Sequence, residues 1–188
     1  MAAIMDTLHE DHENIRKLLA VLERQCNILA DGDSPDYDLL EEIVEYSLAY
    51  PDIYHHPKED AIYELLRSHS PEVTKELGAL REQHDELQQL TRRLGDTVRE
   101  LEGEVVMPRE PVVQLMRDFI DFYREHINWE ETAFFPAAEQ YLAAENWERL
   151  DKRFGSQQDP LFTSPVKDQY LAIRNDIQRA AEADGTAA

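Results

Sequence analysis

The chain has 188 residues, with 19 Lys and Arg against 40 Asp and Glu and a formal charge of -21. Such an acidic surface opposes phosphate backbones and anionic lipids, so neither nucleic-acid binding nor membrane association is expected. The length permits one ordinary domain with a real core, and no apolar run approaches bilayer-spanning length. The single cysteine, Cys26, cannot pair within the chain and lies in an apolar helical stripe, which fits a reduced core residue. The polar, acidic start "MAAIMDTLHEDHENIRKLL" is not built like a signal peptide, so a soluble, cytoplasmic protein is expected.

Only 6 glycines are present, and apolar residues recur near every 3.6 positions without turn-bounded β-branched runs, which predicts an all-α chain. The first helix is expected from about residue 4 to 30, ending at "DGDSPD", with Leu8, His12, Ile15, Leu19, Leu22, Cys26 and Leu29 inward. The second runs from about Tyr37 to Ser68, where Pro51 and Pro57 should kink it. Its inward stripe is Leu40, Val44, Leu48, His55, Glu59, Ile62 and Leu66.

Ser70 as N-cap and Pro71 at the first helical position open a third helix reaching about Glu102. Leu77, Leu80, His84, Leu87, Thr91 and Leu94 share its inner face. After "GEVVMPREP" a fourth helix extends to near Ala144, with Val112, Leu115, Phe119, Phe122, His126, Glu130, Phe134, Ala137 and Tyr141 inward. Four long helices with short connections predict an up-down-up-down antiparallel four-helix bundle over residues 1–145.

Residues 146–188 are expected to form a C-terminal helical extension: a short helix, a Gly/Ser/Gln/Pro loop and a helix from about Ser164. Tyr170, Ile173 and Ile177 stand at helical spacing, and Phe154, Leu161 and Phe162 in the loop are the expected anchors. This extension should cover the bundle, a second copy in a homodimer, or a protein partner, with a disordered end.

All four inward stripes contain a histidine. One histidine on an apolar face is ordinarily a hydrogen-bonded core residue, but four at compatible depths form a pattern. His55 with Glu59, and His126 with Glu130, are four residues apart and so share a helix face about one turn apart. Four imidazoles and two carboxylates inside a bundle are very costly unless metal or protons compensate them. Such donors without thiolates suit iron, manganese or zinc, and bundle cores with bridging Glu commonly hold two ions, so a dinuclear centre is expected.

Asp60, four residues after His56, offers an alternative metal pair ranked below His55 with Glu59, which continue the apolar stripe. His9 is expected to face solvent on the first turns, and His69 to meet the carbonyls ending the second helix. Tyr50, Tyr54, Tyr63, Tyr123 and Trp129 flank the site and are read as packing. No phosphate-cradling glycine pattern or nucleophile elbow occurs.

The set His12, His55-x-x-x-Glu59, His84 and His126-x-x-x-Glu130 with "EETAFFP", together with "YHHPKED", resembles the hemerythrin-like family, also called the HHE cation-binding domain, over about residues 4 to 144. The resemblance implies a non-haem centre of two Fe ions with an oxo or hydroxo bridge. It implies His12, His55, His84 and His126 as nitrogen ligands and Glu59 and Glu130 as bridges. His56 stands where some relatives place a further ligand, and a ligating and a supporting role are both open for it.

Oxygen carriers that resemble this pattern have a second third-helix histidine where this chain has Gln88, and an aspartate five residues after the fourth-helix histidine, where Glu131 stands. Fewer nitrogen ligands should leave more water-accessible iron positions, favouring reaction with peroxide, NO or O2 over reversible carriage. The expected function is sensing, iron handling or oxidative and nitrosative stress response. A di-iron enzyme with catalase-like or nitric-oxide-reducing activity is the alternative, and a metal-free helical adaptor the second.

Overall fold

The computed structural model describes residues 2–78, 80–102, 107–155, 159, 161 and 170–185. Among them every regular element is helical, and no helix is long and apolar enough to cross a membrane. Helix α1 (Ala3–Asp31) stops at Gly32, whose φ of 105° lies in the left-handed region that glycine tolerates. Helix α2 (Tyr37–Tyr50) opens with the Asp36 side chain accepting from the Leu39 N–H.

The expected kinks in the second segment take another form. Pro51 has no N–H to continue the α ladder, and the chain widens into a π-helical turn (Pro51–His55) before resuming as α3 (His56–His69). Pro57 falls in the first turn of α3, directly after the π turn, where the α ladder is already interrupted. The wide turn inserts a residue into the helical period, so neighbouring His55 and His56 are both buried.

The third segment is two helices rather than one. Helix α4 (Pro71–Leu77) ends at Gly78 with φ 86°, and α5 (Leu80–Glu102) follows. Ser70 holds the N-cap position, but its side chain makes no capping bond; its carbonyl accepts from Val73 and Thr74 instead.

The fourth segment comprises α6 (Arg109–Trp129), a second π turn (Glu130–Phe134) and α7 (Phe135–Tyr141). Beyond that turn the inner face shifts by one residue. Phe135, Ala138 and Leu142 are buried, whereas Ala137 is half-buried and Tyr141 is exposed, against the uninterrupted stripe expected there. Leu48, Leu77 and Phe122 are also only half-buried.

Helix α1 packs on α6, α6 on α5, α5 on α2 and α2 on α1, closing a ring. Inside the ring are two apolar clusters. One gathers Met5, Leu8, Ile62, Leu66, Leu80, Phe134 and Phe135, and the other Ile15, Leu19, Tyr46, Leu87, Phe119, Tyr123 and Ile127, among others. Each histidine-bearing stretch passes from one cluster to the other: Leu8 and Ile15 bracket His12, and Leu80 and Leu87 bracket His84. The histidines therefore form one polar layer between two dry ones.

Helix α8 (Ala144–Phe154) packs on α1 and α3, and α9 (Leu171–Gly185) on α1 and α2. Leu161, Tyr170 and Ile173 are buried in the second cluster, with Ile177 against it. Phe154 ends α8 rather than lying in the loop, half-buried against the first cluster. Phe162, the expected helix start near Ser164 and the end of the chain lie outside the described residues.

Gly95 lets α5 approach α2 closely, since a Cβ there would stand 2.8 Å from Val44 Cγ1. Gly95→Ala should therefore destabilise by about 1 kcal/mol, overpacking outweighing the helix-propensity gain. Chemical denaturation checks this, and in a Val44→Ala background the same change should become stabilising.

Candidate metal centre

The polar layer is assembled by α1 (His12), the first π turn and α3 (His55, His56, Glu59), α5 (His84), and α6 with the second π turn (His126, Glu130). All seven are buried, and Glu59 and Glu130 are wholly so. Their ligand-capable atoms form two groups, His56, Glu59, His84 and His126 in one and His12, His55 and Glu59 in the other, each within 4.8 Å. Glu59 belongs to both.

The carboxylates divide their oxygens between the groups. Glu59 Oε1 lies 3.4 Å from His12 Nε2 and 3.3 Å from His55 Nε2, while Oε2 lies 3.4 Å from His84 Nε2. Glu130 Oε2 is 3.2 Å from His12 Nε2, and Oε1 is 3.2 Å from His126 Nε2 and 3.6 Å from His84 Nε2. Despite this proximity, Nε2 of His12, His56, His84 and His126 and all four oxygens of Glu59 and Glu130 lack a hydrogen-bond partner among the described residues.

Atoms so close without hydrogen-bond geometry fit donors arranged around a shared cation. Ligand atoms about 2.1 Å from one ion, at octahedral to tetrahedral angles, stand roughly 3.0–3.4 Å apart. Leaving these groups buried and unpaired would instead cost on the order of 1–3 kcal/mol each.

Each imidazole is held from behind. The Nδ1–H of His12 donates to Glu131 Oε1 (2.6 Å), that of His55 to Asp11 Oδ2 (3.1 Å), and that of His84 to Asp60 Oδ1 (3.2 Å). His126 Nδ1–H donates to Gln83 Oε1 (2.9 Å), and His56 Nδ1 lies 3.3 Å from Asp52 Oδ1. An acceptor at Nδ1 fixes the tautomer and turns Nε2 inward as a lone-pair donor, as in metal-bound histidines.

A further shell supports these acceptors. Tyr50 donates to Asp11 Oδ1 at 3.1 Å, buried Lys58 Nζ stands 3.5 Å from Asp11 Oδ2, and Gln88 donates to Asp52 Oδ2 at 2.9 Å.

Burial pushes His12 and His84 down, but the carboxylates around them, Glu130, Glu131 and Glu59 for His12 and Asp60, Glu130 and Glu59 for His84, leave both well above the usual imidazole range. Burial likewise opposes ionisation of Glu59, yet His55, His12 and His84 hold it well below the usual carboxylate range. His126, which gains only an amide behind it, is pushed by burial down to about 4.

His56 occupies the inward cluster, its ring stacked on His84 at 4.2 Å, so a fifth imidazole comes from α3 while Gln88 is turned to Asp52. Asp60 pairs with His84 and Arg81, not with His56 as one reading of the spacing had it. His9 is half-buried, not free in solvent: its Nδ1 lies 2.8 Å from Glu131. His69 is exposed and bonds the Leu65 carbonyl at 2.8 Å, as expected at a helix end.

Sequence reading missed Asp11, Asp52 and Gln83 as positioning residues. Only Asp52 had a signal, its spacing of four before His56. Asp11 meets a partner 44 residues away, which no local pattern encodes.

The family model described as hemerythrin HHE cation binding domain matches residues 3–138, spanning every residue of the cluster. A comparison with curated proteins finds no match.

Asp11→Asn should weaken metal binding about 10–100-fold, measured by competition with a chelator, because His55 loses its anionic partner. The raised His12 and His84 contribute stability that is full below about pH 6.5 and is lost as pH rises through their folded-state values. The melting temperature of metal-free protein should accordingly fall above that pH, whereas metal, which displaces these protons, should remove the fall.

Proposed function

The chain belongs to the hemerythrin HHE cation-binding domain family, and from that premise we propose that it holds two iron ions in its polar layer. We infer a binding protein that meets O2, NO or peroxide in sensing, iron handling or stress response. The observation carrying this reading is the division of Glu59 and Glu130 between two sets of imidazoles.

In this reading His12 and His55 would hold one ion and His56, His84 and His126 the other, with Glu59 and Glu130 shared between them. Bound iron would supply redox change and an open coordination position for a small ligand; manganese or zinc suits the same donors. Asp11, Glu131, Asp60, Asp52 and Gln83 would hold the Nδ1 side of each ring and aim its Nε2 inward, and the flanking apolar clusters exclude bulk water. We read the ring as antiparallel up-down-up-down, with residues 146–188 as an extension docked on it.

A cleft of about 170 Å³, lined by Asp52, His56, Asp60, Arg81, His84 and Gln88 among others, reaches two of the imidazoles. That opening favours the second reading, an enzyme turning over peroxide or nitric oxide, because a substrate must come and go.

Elemental analysis of protein purified without added metal should find about two irons per chain, with visible absorption characteristic of a bridged pair. Glu59→Ala should lose both ions. Peroxide consumption would select the enzyme reading. Protein without metal, or with zinc unaffected by changing His55 and His126, would leave the adaptor reading in front.

A further inference from the structure

Every buried side-chain nitrogen or oxygen without a hydrogen-bond partner among the described residues belongs to the metal cluster, with one exception: the hydroxyl of Tyr123. This residue lies on α6, one turn before His126, with its ring 6.3 Å from the His126 ring and edge-on to Phe119 at 5.6 Å. It is 3 % exposed. Burial, reinforced by the negative charge of Glu59 and Glu130, holds its phenol well above the usual tyrosine range, so the hydroxyl keeps its proton.

Two other deeply buried tyrosines are satisfied. Tyr46 donates to Asp159 Oδ2 at 2.7 Å and Tyr50 to Asp11 Oδ1 at 3.1 Å. A phenylalanine would fill the position of Tyr123 without stranding a hydroxyl, and stranded hydroxyls in native cores call for a specific reason. An acceptor that arrives with a ligand supplies one.

We infer that Tyr123 donates a hydrogen bond to a small anionic ligand of the hydroperoxide or azide type held at the metal centre, and so selects such ligands over neutral diatomics. The inference rests on the metal-binding reading. An O–H donor in a dry pocket favours a ligand carrying negative charge much more than one that does not. Tyr123 touches no proposed metal ligand through a hydrogen bond, so its removal should leave the cluster intact.

The test compares iron-loaded wild type with Tyr123→Phe, which keeps the ring and its packing. Elemental analysis comes first, followed by titration with azide and with nitric oxide, read in the visible spectrum. Equal iron in both proteins, azide about tenfold weaker in the variant and nitric oxide changed less than about twofold would support the inference. Unchanged azide affinity, or equal weakening of both ligands, would overturn it while sparing the metal site. A visible band present without azide in the wild type and absent from the variant would make the phenolate itself a ligand, against the donor role. A wild type that takes up no metal would overturn both readings.

Discussion

Two carboxylates buried among imidazole nitrogens dominate this fold. Glu59 and Glu130 are fully enclosed and face four histidine Nε2 atoms at 3.2–3.6 Å without hydrogen-bond geometry. In a low-dielectric interior that arrangement is expensive alone and strongly favourable around a cation, because the same dry surroundings magnify both effects. The apolar clusters on either side supply that dryness. The core thus stabilises the fold and sharpens the site's demand for positive charge.

Precision comes from a second ring of acceptors, and the chain provides inner and outer groups from adjacent positions. Asp11 and His12 are neighbours on α1, yet Asp11 serves His55 from another helix while His12 points inward. Glu130 faces the imidazoles and Glu131 turns to hold His12 from behind. The network continues outward through Tyr50 to Tyr46, whose rings stack at 6.0 Å, and Tyr46 donates to Asp159. Burial raises Asp159 to about 6 despite that bond. Asp159 therefore touches the same polar framework that orients His55.

Much of this was written in local spacing. The 3.6-residue period identified the long helices and put His12, His55, His84 and His126 on inner faces, because a helix has a single face toward its neighbours and apolar residues mark it. The two His-x-x-x-Glu pairs were visible for the same reason, one turn being nearly four residues. Periodicity failed where the period itself changes. At both π turns an extra residue shifts the inner face, bringing His56 into the cluster and turning Tyr141 out. The break at Gly78 likewise interrupts an otherwise continuous helical pattern.

By itself, then, the sequence determined an all-helical chain, its inward faces and the donor types gathered on them, since these follow from intrahelical hydrogen bonds and side-chain spacing. Only the tertiary structure decided that Glu59 and Glu130 each divide their oxygens between two sets of imidazoles. It alone brought Asp11 to His55, Asp60 to His84 and Gln83 to His126, and left the Tyr123 hydroxyl without a partner among the described residues. Those contacts depend on the depth, rotation and separation of different helices, and a period within one helix carries no information about its neighbours' positions.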